Sequence, residues 1–220
     1  MSFDSNKVYK RSLTENLMVE IVTIEGLDYS GKTTVHTHLA KTNKANMGIV
    51  FNEGVVYPTS LTARLLSIAN QSTDIEREFL YTSMMTMDRY MADTRGAKDK
   101  RIFIQDRYWP SVVAYGRFLN NESSIHRHQN YSNLFIEPVA TILLSCSDEE
   151  LAKRSGMRNR KSVIDTVLLS NPKEIERLRS EIMRSVYGLP NIFYIDTTKR
   201  TIDSIGDEIT SNLAGIGIGL

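Results

Sequence analysis

The stretch Val19–Thr34, VEIVTIEGLDYSGKTT, decides the fold. Its first half, Val19 to Gly26, is rich in β-branched residues and ends at a glycine, the pattern of a buried strand. Its second half matches GxxxxGK[ST] in full, through Gly26, Gly31, Lys32 and Thr33. VHTHLAKT follows as a helix. A strand, a glycine loop and a helix are the setting in which backbone N–H groups cradle phosphates at a helix N-terminus. Gly26 lets the chain leave the strand in a tight turn, and Gly31 lets backbone approach the phosphates. Lys32 reaches β and γ oxygens, and the Thr33 hydroxyl suits Mg²⁺.

Outward from this loop, strands and helices alternate. GIVFNEG (Gly48–Gly54) reads as a second strand, with VVYPTS as the loop after it. Leu61, Leu65, Leu66 and Ile68 suggest a helix with one apolar face, and a longer helix is expected over Ile75–Met91. RIFIQDRY (Arg101–Tyr108) is a third strand, VATILLSC (Val139–Cys146) a fourth and NIFYIDT a fifth. Ser147 is a helix cap with acidic residues behind it. Ile175, Leu178, Ile182 and Val186 mark a helix over Pro172–Val186. Ile202, Ile205 and Ile209 line the last helix. The alternation predicts one α/β domain of the P-loop NTPase fold over residues 18–210, with a five-stranded, mostly parallel sheet flanked by helices. Its ligands belong at the carboxyl ends of the strands. Residues 1–17 are expected as a flexible extension and the glycine-rich 211–220 as a flexible tail. Asn120–Asn133 is polar and gives no clear pattern.

Composition narrows the function. The chain has 220 residues, with 27 basic and 26 acidic side chains and a formal net charge of +1. No global field favours nucleic acid or an acidic membrane, and neither is expected as a partner. No apolar run approaches a membrane span, and MSFDSNKVYKRSLTENL has no apolar signal core. The expected address is the cytosol. The single cysteine, Cys146, excludes an intrachain disulfide and reads as a buried thiol. Met84, Met85, Met87 and Met91 read as core or pocket lining. His36, His38, His126 and His128 form no convincing metal site.

The third strand delivers Asp106 and Arg107 to its carboxyl end. A carboxylate there suits metal-bound water, and the guanidinium fork bridges phosphate oxygens. Asp88 and Arg89 form a second acid–base pair. Arg154, Arg158, Arg160 and Lys161 form a basic run that suits a closing lid around 153–165. This residue-level reading leaves several functions open. One is transfer from ATP to a nucleoside monophosphate. Another is a deoxynucleoside kinase acting on a free hydroxyl, with Glu25 or Asp106 as base. A third is a nucleotide-binding regulatory protein without transfer.

EGLDYSGKTT together with DRYWPSVVAYG resembles the thymidylate kinase family of P-loop nucleoside monophosphate kinases, along nearly the whole stretch from Val19 to Ile209. The resemblance implies phosphorylation of dTMP to dTDP with ATP as donor and Mg²⁺ as cofactor. It implies an ATP site at Gly26, Asp28, Tyr29, Ser30, Gly31, Lys32, Thr33 and Thr34, and metal held through Thr33 and Asp106. It implies an acceptor site at Asp28, Tyr57, Arg64, Met85, Arg89, Arg107, Tyr108 and Tyr115, with Asp28 on the deoxyribose and Arg89 on the acceptor phosphate. Lys32, Asp106, Arg107, Arg154, Arg158 and Arg160 would carry the catalysis. Some family members have an arginine directly after the P-loop aspartate. Tyr29 stands there in this chain, so that charge would come from the lid. The family's stacking aromatic falls at Met85, and its REPG-like segment is reduced to NEG. The resemblance also implies a homodimer packed through helices beside the sheet.

Overall fold

The computed structural model describes residues 19–95, 101–120, 126, 132–157 and 171–220. Five parallel strands form one sheet in the order β2-β3-β1-β4-β5. They are β1 (Glu20–Gly26), β2 (Ile49–Glu53), β3 (Ile102–Asp106), β4 (Ala140–Ser145) and β5 (Ile192–Asp196). The helices are α1 (Lys32–Thr42), α2 (Ser60–Ala69), α3 (Asp74–Arg95), α4 (Trp109–Phe118), α5 (Asp148–Gly156), α6 (Pro172–Val186) and α7 (Ile202–Ala214). No helix among the described residues is long and apolar enough to cross a membrane.

The central strand β1 is buried on both faces, which is why it reads as a near-continuous apolar run rather than an alternating one. Its register sets Ile24 beside Asp106 of β3 and Gly26 beside Leu144 of β4. The phosphate loop and the Asp106–Arg107 turn therefore leave adjacent strands at the same level. From β1 the chain runs to the edge at β2 and returns to β3 on one side, then crosses over β1 to β4 and β5 on the other. That reversal opens a crevice at the carboxyl ends of the strands.

Three apolar clusters hold the layers together. One packs Val35 and Leu39 of α1 and Ile205, Ile209 and Leu213 of α7 on Val22, Ile24 and Ile142 of the sheet. A second joins α4 and α6 through Ala114, Phe118, Leu178 and Ile182. The third sets Met85 and Ala92 of α3 against Ile21, Phe103 and Tyr108. Each fully buried Ile or Leu contributes about 1.5–3 kcal/mol of transfer free energy. Local signals fix the helix starts. Ser147 accepts from the Glu150 amide (3.2 Å), Asn171 from that of Lys173 (3.1 Å) and Thr201 from that of Ser204 (3.3 Å).

Two expectations need correction. Ser211–Ala214 complete α7, and Ile218 is buried in the first cluster with Ile216 and Leu220 packed beside it. The glycines thus serve a turn that folds the chain back, not a tail. On α2, Leu61 and Ile68 are exposed while Thr62 and Ala69 are buried. The buried side of that helix is lined by small residues against α3, and part of its apolar stripe faces outward. Residues 1–17 and the polar stretch's 121–125 and 127–131 lie outside the described residues.

Candidate active site

Gly26 has φ +142°, and a Cβ there would lie 2.3 Å from the Leu144 carbonyl oxygen. Only glycine leaves room for the chain to cross the end of β4 at this point. The turn closes through Ser30 N–H to Leu27 O (3.2 Å), and Gly31 at φ +100° starts α1. Two non-glycine residues hold left-handed backbone here, Tyr29 (φ 66°) and Arg107 (φ 64°). Such positions cost roughly 1–3 kcal/mol and persist where the surroundings over-determine them. For Arg107 the surroundings include a hydrogen bond from its backbone N–H to Ile24 O (3.1 Å).

Beneath the loop lies Glu25, fully buried. Its carboxyl accepts from Thr23 Oγ1 (2.7 Å), from the Tyr108 amide (2.9 Å) and from Ser111 Oγ. Ser111 Oγ in turn accepts from Arg107 Nη1 (3.2 Å). Burial pushes the Glu25 carboxyl above its ordinary pKa, and its hydrogen-bond donors oppose that shift. Glu25 thus joins β1 to the first turn of α4 and lines neither of the clefts described below. That location removes it as a base toward a bound hydroxyl.

Arg107 Nη2 pairs with Asp28 Oδ1, and Tyr115 donates its hydroxyl to Asp28 Oδ2 (2.5 Å). Burial holds the Tyr115 phenol well above its usual range, so it stays a donor. Lys32 Nζ donates to Leu27 O (2.6 Å). Burial, and then the neighbouring Arg107, pull its ammonium down to about 7, against the attraction of Asp28 and Asp106. Thr33 Oγ1 donates to Asp106 Oδ2 (2.8 Å), while Asp106 Oδ1 is buried without a hydrogen-bond partner among the described residues. A hard cation suits an unsatisfied carboxylate oxygen beside a hydroxyl, so these two residues fit Mg²⁺.

Two clefts meet here. One, of about 560 Å³, is lined by Asp28, Tyr29, Gly31, Lys32, Thr33 and Thr34, and closed by Arg154, Thr197 and Arg200. The other, of about 390 Å³, is lined by Met85, Asp106, Arg107, Tyr108 and Tyr115, together with Arg77, Glu78, Tyr81 and Ser111. The residues common to both are Asp28 and Arg107. Two ligands can thus face each other across one ion pair, with a cation at the junction. This is the layout of a phosphotransferase that binds donor and acceptor together.

Several expected site residues lie outside the cleft linings or are held by other partners. Tyr57 is buried in the third cluster, with its ring 5.3 Å from that of Phe103. Arg64 is exposed on α2, outside the cleft lining. Arg89 does not pair with Asp88. Its Nε binds the Asp93 carboxylate (3.1 Å), one helical turn on. Asp88 is buried and accepts the amides of Val56 and Tyr57 (2.9 Å each), which pins the loop after β2. Arg154 is held by Glu150 (2.9 Å), the Tyr29 carbonyl (3.2 Å) and the Thr197 carbonyl (2.9 Å). It thereby clamps the phosphate loop to the end of β5. Arg158, Arg160 and Lys161 lie outside the described residues. Cys146 is buried, as expected, and burial pushes its thiol up.

Reasoning from sequence missed Thr197 and Arg200 on the donor side and Arg77, Glu78, Tyr81 and Ser111 on the acceptor side. Glu78 and Tyr81 share a helix face with Met85 at i, i+3 and i+7, a spacing that could have shown them. Thr197 directly follows β5, where the strand-end rule points.

The fold and the joined clefts define a P-loop kinase of small nucleotides. A family model described as thymidylate kinase matches residues 24–209, and the chain belongs to that family, whose members are nucleoside monophosphate kinases. Among solved structures it is similar to the thymidylate kinase of Ehrlichia chaffeensis. That match has 18% identity and a TM-score of 0.63, over 89% of this chain and 98% of the other. It is also similar to the thymidylate kinase of Candida albicans, with 20% identity and a TM-score of 0.60, over 90% of this chain and 92% of the other. No curated protein matches the sequence.

Proposed function

We propose that this kinase transfers the γ-phosphoryl group of ATP to dTMP, giving ADP and dTDP. The observation that carries this reading is the pair of clefts joined at Asp28 and Arg107, one of them floored by the P-loop. ATP lies in the larger cleft with its phosphates over the Gly31–Thr34 amides and Lys32. Thr33 and Asp106 would hold Mg²⁺, which would supply neutralising charge to the donor phosphates. The acceptor lies in the smaller cleft with its phosphate toward Arg107.

The acceptor phosphate is already ionised, so the reaction needs no general base. It needs alignment and charge neutralisation. Arg107 supplies a fixed planar fork, braced by Ser111 and Glu25 from behind. Asp28, braced by Tyr115, is within the same junction and suits the deoxyribose hydroxyl. Of the two candidate bases for a free-nucleoside acceptor, Glu25 is buried behind Ser111 and Tyr108, and Asp106, which lines the cleft, is given to the metal beside Thr33 in this reading. By the family resemblance, Arg158 and Arg160 would supply further positive charge to the transferred group.

We also infer a homodimer. Ile75 (63% exposed) and Phe79 (55% exposed) lie one turn apart on α3, and Leu61 and Ile68 are exposed on α2, the helix packed against it. Such a patch favours cover by a second copy.

The test is ADP formation from Mg-ATP against dTMP, dUMP, dCMP, UMP, the purine monophosphates, thymidine and deoxycytidine, with products identified by mass. Conversion of dTMP to dTDP supports the proposal. Turnover restricted to free nucleosides overturns it.

A further inference from the structure

Thr197, the first residue after β5, is buried and has every polar group engaged with the protein. Its N–H donates to Ser145 O at the end of β4 (2.8 Å). Its carbonyl accepts from Arg154 Nη2 (2.9 Å), and its hydroxyl oxygen accepts from Arg154 Nη1 (3.0 Å). The same hydroxyl lies 3.0 Å from two carbonyl oxygens, Ser145 O and Ser30 O of the phosphate loop. A hydroxyl has one hydrogen to give. Ser145 O already has the Thr197 amide, so the hydrogen is better used on Ser30 O.

The turn around Thr197 does not need this hydroxyl. Asp196 Oδ1 holds that turn by accepting from the Thr198 amide (2.9 Å) and hydroxyl (2.6 Å), and Thr201 caps α7. The use of the hydroxyl lies at the phosphate loop. A peptide unit is planar and trans, so the Ser30 carbonyl and the Gly31 N–H point in opposite directions. A partner that holds the one aims the other. Gly31 lines the donor cleft, while Ser30 is buried behind it. At φ +100° and without a Cβ, Gly31 offers little resistance of its own to rotation of that peptide. Arg154 Nη1 also donates to Tyr29 O (3.2 Å). One guanidinium thus secures two successive carbonyls of the loop, Tyr29 directly and Ser30 through Thr197. Donation from a cation polarises the hydroxyl and strengthens its bond to Ser30 O.

We propose that Thr197 is a positioning residue for donor binding. Its hydroxyl holds the Ser30 carbonyl away from the cleft, so that the Gly31 N–H faces the β-phosphate of the donor. The inference rests on the reading of the larger cleft as the ATP site. It adds to that reading a residue outside the phosphate-loop motif, 166 positions along the chain from Gly31.

The experiment measures Kd for ADP and for AMP, with Mg²⁺ present, in the wild type and in three variants. Thr197→Val keeps the shape and removes the hydroxyl. Thr197→Ser keeps the hydroxyl and removes the methyl. Thr197→Ala removes both. Thermal unfolding of each protein reports folding. AMP lacks the β-phosphate, so the ratio of the two Kd values isolates the grip of the loop on that group. Losing one aligned hydrogen bond corresponds to a factor of roughly three to ten. Thr197→Val and Thr197→Ala should weaken ADP by about that factor while AMP changes less than about twofold. Thr197→Ser should keep the wild-type ratio. In turnover, KM for ATP should rise in Thr197→Val with KM for dTMP unchanged. An unchanged ADP-to-AMP ratio in folded Thr197→Val and Thr197→Ala overturns the inference and leaves the kinase reading intact. Equal weakening of ADP and AMP also overturns it, because a general loss of structure would not single out the β-phosphate. If the wild type binds neither ADP nor ATP, the donor-site reading fails and this inference with it.

Discussion

Lys32 holds its charge in a place that disfavours it. Burial and Arg107 lower its ammonium to about 7, so near pH 8 much of it is neutral. A triphosphate beside Nζ favours the charged form. Nucleotide binding above pH 7 is therefore coupled to proton uptake, and ATP affinity should fall as pH rises from 7 to 9. Calorimetry at pH 8 in buffers of different ionisation enthalpy should report uptake approaching one proton per ATP, and much less at pH 6. An uptake that stays at zero across this range contradicts the assignment. Asp88 is the converse case. Burial raises its carboxyl to about 6, above the ordinary 3.8, while two backbone amides oppose the shift. The folded state then holds the proton more tightly than the unfolded chain. Its contribution is fully present below the unfolded value and is lost as pH rises through about 6. Relative to Asp88→Asn, the wild type should lose up to about 3 kcal/mol between pH 4 and pH 7 in urea unfolding. A flat difference contradicts the burial assigned to Asp88. Some of this site was legible from residue type. The P-loop motif locates Lys32 and Thr33, and the strand-end rule locates Asp106 and Arg107. The roles of Tyr57, Arg64 and Arg89 were not, because each depends on which way a helix or loop turns its side chains. Arg89 meets Asp93 at i+4, a local pairing that competes with any distant one.

At the scale of elements, the tightest constraint is the crossing of the phosphate loop over β4. Gly26→Ala places a Cβ against the Leu144 carbonyl in a backbone region that L-residues avoid. It should destabilise the fold by about 3 kcal/mol or more and weaken ATP binding. Thermal unfolding with and without Mg-ATP measures both. Wild-type stability in the variant would mean the loop takes another path. Elements with a strong apolar period were plain in the sequence. The helix over Pro172–Val186 appears with those bounds, because Ile175, Leu178, Ile182 and Val186 all face the second cluster. The expected third, fourth and fifth strands each appear within a residue or two of their bounds. The carboxyl-terminal segment was harder. Its isoleucines and leucine are spaced by glycines, so their burial depends on a chain reversal that no helical or strand period encodes.

For the whole molecule, the exposed apolar residues Leu61, Ile68, Ile75 and Phe79 of α2 and α3 line neither cleft. They are surplus to a monomer. Phe79→Glu should turn a dimer into a monomer in sedimentation, with the ATP Kd unchanged. A wild type that sediments as a monomer at micromolar concentration contradicts the dimer. The central claim is that two ligands react across the Asp28–Arg107 junction. It is tested most directly by following the γ-phosphoryl group itself. Excess enzyme is mixed with γ-labelled Mg-ATP and dTMP, and the label is tracked through one turnover. The label should move into the β position of dTDP, one for one with ADP formed. Release of the label as inorganic phosphate, or ATP bound and left intact in the presence of dTMP, would contradict it.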